Sequence, residues 1–300
     1  MLLRRLIDER AVRAIVSVDL RSPAEAAAKL RHATADVRSP DLAAHFAGCD
    51  AVVHLAFIVA KHRPRAEVNA VNLEGSRNVF RAAAAAGARK IVYTSSVAAY
   101  GVLPGHPVPI VEETPRRYQP DFPYAATKHE VEAFLDGFEK ERPEPAVVRL
   151  RPGVFFGAGM EHPLGRALKR GVFPVFTDAP LPVVWDEDVA EAVVLALKAD
   201  VRGPFNLVAD EPLTSRELAA LGGLRLLRLP PGLRSGLARV GVALSRIGIG
   251  EAMDPVWAEK TGTVMIRTPP ARSAQRPDHG DPLSLRPTPS ARWTSSGTSR

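Results

Sequence analysis

The side chains best suited to do chemistry lie between residues 96 and 128. Tyr124 and Lys128 are four residues apart in a predicted helix, so both side chains project from one face of it. An unperturbed tyrosine has a pKa of about 10, and a cation one helical turn away favours the phenolate and lowers that pKa. Ser96 comes just after the apolar run 91–93, a predicted buried strand, where it would hold a substrate oxygen. These residues predict a proton-transfer site with Tyr124 as the acid/base.

A tyrosine and a lysine at this spacing are weak evidence when taken alone. Four tyrosines and eight lysines in 300 residues give such a pair by chance in about one chain in ten. The alternative is an exposed pair on a helix surface. The serine at a strand end upstream, in the order that such a site requires, favours the catalytic interpretation.

Composition narrows the classes of protein to which the chain can belong. With 300 residues, 46% of them hydrophobic, the chain is long enough for a substantial core in one large or two modest domains. The single Cys49 excludes an intrachain disulfide framework and is typical of a reducing cytosol, so we expect a cytoplasmic protein. No apolar run is long enough to cross a bilayer. Six arginines and two aspartates in residues 265–300 contribute +4 to the net charge of +7, so we expect no nucleic-acid partner.

Short apolar strands alternate with helices along most of the chain, which predicts an α/β fold with a doubly wound parallel sheet. We predict strands over 12–18 and 33–37 and a short helix over 24–30. An acid at the end of the second strand of a dinucleotide-binding fold hydrogen-bonds the adenosine ribose and repels a 2′-phosphate, so Asp19 favours NAD over NADP. Asp36 could meet an adenine edge. The alternatives are that Asp19 belongs to a turn and that Asp36 simply ends its strand.

The ordered set of these residues resembles a known family. The matching segments are Asp19, Asp36-Val37, His54-Leu55-Ala56, Asn72-Leu73-Glu74-Gly75, Thr94-Ser95-Ser96, Tyr100-Gly101 and Tyr124-Ala125-Ala126-Thr127-Lys128. They resemble the extended short-chain dehydrogenase/reductases and, within these, the NAD-dependent epimerase/dehydratase family. The resemblance covers roughly residues 1–220.

The resemblance implies a binding site for NAD along the strand ends. The implied cofactor-binding residues are Asp19, Asp36, Val37, Leu55, Ala56, Asn72, Tyr124 and Lys128. Asp19 would bind the adenosine ribose, and Asp36 and Val37 would flank the adenine. Asn72 would lie near the nicotinamide half, and Lys128 would contact its ribose. We interpret the histidine before Leu55 as packed beneath a loop rather than catalytic.

The resemblance also implies the chemistry and the partners. Ser96, Tyr124 and Lys128 would be catalytic, with hydride transfer at a hydroxyl-bearing carbon of a sugar nucleotide or a similar small molecule, and with no metal. The protein would form a homodimer through the helix that carries Tyr124. Val97 and Ala98 stand where the family's 4,6-dehydratases carry an acidic pair, so we expect no dehydratase activity.

The sequence and the resemblance together predict three parts. Residues 1–157 would form a Rossmann-like dinucleotide-binding domain. Residues 158–264 would form a smaller substrate-binding portion, from which segment 184–208 returns to the core. Residues 265–300, rich in Pro, Ser, Thr and Arg, would be a disordered tail.

The start and one later segment depart from the family pattern. The sequence begins inside the family's first helix, without the preceding strand and the glycine-rich turn, so we expect unpaired sheet edges and weak NAD binding. Pro152 lies near the place where many sugar-nucleotide epimerases have an asparagine. The alternatives are therefore a hydroxysteroid dehydrogenase-like enzyme or carbonyl reductase of the same superfamily, and a noncatalytic dinucleotide-binding protein or inactive fragment.

Overall fold

The computed structural model describes residues 1–59, 64–157, 169–175, 180–210 and 212–228. The helices are α1 (Leu2–Asp8), α2 (Leu42–His45), α3 (Arg65–Asn69), α4 (Ser76–Ala85), α5 (Pro123–Glu141), α6 (Asp186–Lys198) and α7 (Ser215–Leu221). A π-helical turn, Ala70–Gly75, joins α3 to α4, and a 3-10 turn spans Val97–Tyr100. The strands are β1 (Ile15–Asp19), β2 (Leu30–Thr34), β3 (Ala51–His54), β4 (Lys90–Thr94), β5 (Ala146–Pro152), β6 (Val154–Phe156), β7 (Val172–Val175), β8 (Val183–Trp185), β9 (Gly203–Leu207) and β10 (Arg225–Arg228).

Four parallel strands form the central sheet, in the order β3-β4-β5-β9. The register pairs Val53 with Val92, and Val92 in turn with Val148. Strands β1 and β2 form a separate two-stranded parallel sheet, in which Ser17 pairs with His32. Parallel strands joined by helical crossovers are the predicted doubly wound α/β arrangement, which is thereby confirmed.

Helices cover both faces of the central sheet. Successive residues of a strand point to opposite faces, so Ile91 and Tyr93 pack against α4 and α5, whereas Val92 packs against α6. All three side chains are buried. A parallel sheet buried on both faces explains why the predicted strands are continuous apolar runs.

The sequence-based boundaries of the first elements were wrong in two places. The predicted strand over 33–37 is instead β2, Leu30–Thr34, and the predicted helix over 24–30 is not formed. A helix of seven residues is marginal without tertiary support. Here Lys29 instead donates its ammonium hydrogen bonds to the backbone oxygens of Glu9 and Val12, each at 2.8 Å, and the chain then enters β2.

A smaller group of elements follows β5. Strand β6 pairs with β8 and β7 pairs with β10, both in parallel, and the cluster of Phe156, Phe173, Leu181, Val183 and Ala219 packs between them and α7. Between β8 and α7 the chain returns to the large sheet, where α6 packs on β5 and β9 pairs with β5. The predicted division at residue 157 stays a prediction, and the predicted tail 265–300 lies outside the described residues.

Candidate active site

The described structure brings Ser96 near Tyr124, so that the serine hydroxyl acts to lower the pKa of the tyrosine. Strand β4 ends at Thr94, and Ser96 caps the 3-10 turn that follows, accepting a hydrogen bond from the Ala98 amide at 3.1 Å. Tyr124 lies in the first turn of α5, which begins at Pro123, a residue suited to a helix start. The turn after β4 and the start of α5 therefore place the two hydroxyl groups together at the carboxyl end of the sheet.

Lys128 lies one helical turn after Tyr124 and is buried, with 3% of its surface exposed. Its Nζ donates to the Thr94 carbonyl oxygen at 2.8 Å and to the Tyr93 hydroxyl at 3.3 Å. Nζ also lies 3.7 Å from the centre of the Phe57 ring, and that cation–π contact offsets part of its desolvation. Burial lowers the pKa of Lys128 to about 7. This lysine can therefore change its charge near neutral pH.

Tyr124 is enclosed by aromatic rings. Its ring lies 5.5 Å from that of Phe57 and 6.0 Å from that of Phe122. Burial raises the pKa of Tyr124, and the nearby Ser96 hydroxyl acts in the opposite direction. The lowering that the sequence predicts from Lys128, whose Nζ lies 5.9 Å from the Tyr124 ring centre, therefore stays a prediction and would have to outweigh burial.

The two acids assigned to the adenosine end of the cofactor lie at the ends of strands β1 and β2. Asp19 is the last residue of β1, and Asp36 follows β2. Asp19 accepts a hydrogen bond from the Arg21 amide at 2.9 Å, as a turn aspartate does. Asp36 forms an ion pair with Arg38, whose side chain donates to both carboxylate oxygens at 2.9 and 2.6 Å. The hydrogen bonds from Arg38 lower the pKa of Asp36 although partial burial opposes them. The turn interpretation of Asp19 and a ribose-binding role are compatible, because among the described residues the second carboxylate oxygen of Asp19 accepts no hydrogen bond.

Val37 and Gly75 are in close contact beside this end. A Cβ at Gly75 would lie 2.5 Å from Cγ2 of Val37, so only glycine lets the helix approach the loop after β2 so closely. The two motif segments of the sequence therefore meet in the fold. This contact explains a glycine inside the turn between α3 and α4.

Asn72 has a role that sequence reasoning missed. Its side chain is buried in the π-helical turn, and it accepts from the Ile58 amide at 2.7 Å and donates to the Ile58 carbonyl at 2.8 Å. This pair of bonds fixes the loop that carries Leu55 and Ala56 just after β3. A π-helical turn inside a helix is frequently associated with a functional site.

His54 is packed in the core, as the sequence analysis expected. Its Nε2 is hydrogen-bonded to the Ser76 hydroxyl at 2.8 Å, and its ring stacks on Tyr93 with 5.6 Å between centres. Burial, aided by the positive charge of Lys128, lowers the pKa of His54 to about 3. The imidazole is therefore neutral at physiological pH and is part of the packing beneath the site.

The residues present fit the two ends of a dinucleotide. Asp19 offers an acceptor for a ribose diol, and the side chains of Leu20 and Leu55 are 66% and 52% exposed beside the strand ends. Exposed apolar side chains at the carboxyl ends of parallel strands suit the flat face of a base or a nicotinamide ring. These residues would therefore contact the adenosine half and the nicotinamide half of the dinucleotide. The described residues contain no group of three or more His, Cys, Asp or Glu side chains that could hold a metal ion.

Sequence reasoning also missed a buried ionic cluster behind the site. Glu132, one turn after Lys128, is fully buried and bonded to Ser95, Arg116 and Arg151. A signal was present: the polar residues 124, 128, 132 and 136 recur every four residues along α5, beside its apolar stripe. Such a stripe lies on one face of the helix, and that face is turned toward the sheet.

No helix among the described residues is both long enough and apolar enough to span a membrane.

Comparison with known proteins identifies a matching family model. The model described as the NAD dependent epimerase/dehydratase family matches residues 1–207. The uncharacterized protein Mb0513 of Mycobacterium bovis is 27% identical over 219 residues, which are 69% of this chain and 58% of that protein. The chain therefore spans less than two thirds of the length of this curated relative.

Two further known proteins are similar to this chain, one in sequence and one in structure. The N-acetyl-alpha-D-glucosaminyl-diphospho-ditrans,octacis-undecaprenol 4-epimerase of Escherichia coli O157:H7 is 34% identical over 116 residues, which are 37% of this chain and 33% of the relative. The structure of MoeE5 in complex with UDP-glucuronic acid and NAD superimposes with a TM-score of 0.63, at 20% identity, and covers 88% of this chain and 93% of that one. The second similarity concerns the fold.

Proposed function

Because the chain belongs to the NAD dependent epimerase/dehydratase family, we propose that it is an NAD-dependent enzyme acting on a hydroxyl-bearing carbon of a sugar nucleotide. The observation that carries the proposal is the placement of Ser96 after β4, near Tyr124 at the start of α5, with Lys128 buried one turn away. Two neighbouring hydroxyl groups can both bind one substrate oxygen. The UDP-glucuronic acid complex of MoeE5 supports the sugar-nucleotide class. The 4-epimerase relative, whose named substrate is a sugar diphosphate linked to undecaprenol, supports chemistry at a hydroxyl-bearing sugar carbon.

In this proposal the residues divide the work on one substrate hydroxyl. Ser96 donates a hydrogen bond to the substrate oxygen and keeps it next to the Tyr124 hydroxyl. Tyr124 takes the proton as the carbon is oxidised and returns it in the reverse step. The Lys128 cation favours the phenolate form of Tyr124. When bound, NAD would supply the acceptor for the hydride that leaves the carbon bearing this hydroxyl, and the hydride donor in the reverse step.

Asp19, Asp36, Val37, Leu55, Ala56 and Asn72 would hold the cofactor in this proposal. Asp19 would take the adenosine ribose, and Asp36 and Val37 would flank the adenine. Asn72 would act through the loop after β3, since its amide is engaged with Ile58. An epimerase returns the hydride to the same molecule, whereas a dehydrogenase releases it on the cofactor. The E. coli relative favours the epimerase.

The experiment is turnover of UDP-N-acetylglucosamine with NAD, with proton NMR of the sugar as the readout for epimerisation and absorbance at 340 nm for net oxidation. We expect Tyr124→Phe to reduce turnover by about 100-fold or more, since it removes the acid/base. Tyr118→Phe is the matched control, because Tyr118 is 48% exposed on the protein surface. Full activity of Tyr124→Phe, or an equal loss in both variants, would refute the assignment. Activity only on steroids or simple carbonyl compounds would replace the sugar-nucleotide assignment with the reductase alternative.

We further propose a homodimer formed through α5. The residues Ala133 and Gly137 are exposed one turn apart on this helix, and their small size would let a second helix approach closely. Light scattering should give about twice the chain mass of 32.3 kDa. Leucine at Ala133 should shift the protein toward monomer, and a monomeric wild-type protein would refute this assembly.

A further inference from the structure

We propose that Glu132 is a positioning residue: its buried carboxylate, held by Arg151, favours the positively charged form of Lys128. The physical effect on the lysine can be tested without substrate. Its consequence for catalysis rests on the proposed function.

The Glu132 carboxylate is fixed from several sides. It is 0% exposed, and Oε1 accepts hydrogen bonds from the Ser95 hydroxyl and from Arg151 Nε, the latter at 2.9 Å. Oε2 accepts from Arg116 at 3.0 Å and from a second nitrogen of Arg151. A buried carboxylate bound in this bidentate way cannot turn toward another partner. Its orientation is therefore set by β5 and by the loop before α5.

The charge of Glu132 is retained in this environment. Burial by itself would raise the pKa of Glu132, but the hydrogen bonds and charges of Arg151 and Arg116 outweigh burial and lower it. A buried ion that is paired and fully hydrogen-bonded stays ionised. Glu132 is thus a permanent negative charge behind the site.

Lys128 is surrounded mainly by neutral groups. From β4 it meets the Tyr93 hydroxyl and the Thr94 carbonyl, and from the loop after β3 it meets the Phe57 ring. Tyr124 lies before it on α5, and the buried neutral histidine of β3 lies beneath. Within the part of the chain that the structure describes, Glu132 supplies the negative charge that opposes the effect of burial on the pKa of Lys128.

Glu132 therefore does more than join α5 to β5. Lys128 is desolvated enough to lose its proton near neutral pH, and a lysine without charge would neither favour the tyrosinate nor attract an anionic ligand group. Arg116 donates to the same carboxylate, so its positive charge offsets part of the field that reaches Lys128. Changes at Glu132 and at Arg116 should therefore move the lysine in opposite directions.

The test is the titration of Lys128 by NMR of the protein labelled with ¹³C at lysine Cε. The chain has eight lysines, and the signal lost in Lys128→Arg identifies the one of interest. We expect Glu132→Gln to lower the pKa of Lys128 by about one unit or more, and Glu132→Asp to restore most of it. Arg116→Gln should raise it. An unmoved lysine in folded Glu132→Gln, or a pKa lowered by Arg116→Gln, would overturn the inference.

The Arg116 variant keeps the test decisive if Glu132→Gln does not fold, because Arg116 lies at the edge of the cluster with 15% of its side chain exposed. A rise then supports the inference, and an unchanged or lower pKa overturns it. In turnover, Glu132→Gln should move the alkaline limb of the rate profile to lower pH by the same shift. A moved lysine in a protein with no turnover would support this inference and count against the proposed function. Turnover together with an unchanged pKa of Lys128 would overturn this inference and support the proposed function.

Discussion

The neutral, buried His54 predicts a specific loss of stability in mild acid. Its pKa is about 3 in the folded protein against 6.5 for the free side chain, so below pH 6.5 the unfolded chain takes up a proton that the folded protein does not. A group with a lowered folded-state pKa contributes stability that is present above 6.5 and lost as the pH falls toward 3. Between pH 7 and pH 5 the loss from this one residue should be about 2 kcal/mol.

The assay is urea unfolding at several pH values between 7 and 5, on the wild type and on His54→Gln. Glutamine keeps a hydrogen-bonding group for the Ser76 hydroxyl but does not titrate. The other acids and histidines are common to both proteins, so their contributions cancel in the difference between the two curves. We expect the free energies of unfolding to converge by about 2 kcal/mol as the pH falls to 5. Parallel curves would refute the assignment of a buried neutral imidazole, whatever the absolute stability of the variant.

Two further changes test the packing around the site. Arg151→Met should reduce the free energy of unfolding by about 3–5 kcal/mol, because it leaves the Glu132 carboxylate buried without its main partner. Urea unfolding measures this loss, and Arg89→Met, at an exposed ion pair, is the control that should change little. A loss in Arg151→Met no larger than that of the control would contradict the reasoning. Gly75→Ala should destabilise by about 1–3 kcal/mol through the overlap with the valine after β2. Gly137→Ala keeps a small residue on the proposed dimer face, and its added Cβ meets nothing within 4 Å in the chain, so it should instead stabilise by up to about 1 kcal/mol. Thermal shifts of opposite sign are therefore expected, and shifts of the same sign would count against the overlap.

The fold class and the family followed from the sequence because both depend on local, repeated signals. Continuous apolar runs identify buried parallel strands, and ordered short motifs occupy their ends. The spacing of Tyr124 and Lys128 gave their common helix face directly. The family assignment is confirmed by the match over residues 1–207.

Other features depend on contacts between distant segments, which a single sequence does not show. The run 24–30 has good helix formers, yet Lys29 bonds to backbone oxygens near the end of α1. The partner of Asn72 is a backbone amide fourteen residues earlier. Glu132 is charged and would be placed on the surface by composition alone. In the structure Arg151 of β5 and Arg116 of the loop before α5 stabilise it in the interior. The cofactor and catalytic roles of the named residues stay predictions.

The π-helical turn Ala70–Gly75 makes this stretch sensitive to length as well as to composition. A helix rotates its side chains by about 100° for each residue, so deleting one residue here would turn everything on one side of the deletion to a different face. Asn72 would then swing away from Ile58, or Gly75 away from the valine that it contacts. A substitution changes one side chain at a time. A single insertion or deletion between the asparagine and the glycine would misalign one of their contacts whenever the other is kept. Relatives that keep both contacts should therefore have the same number of residues between the asparagine and the glycine, even where the amino acids between them vary.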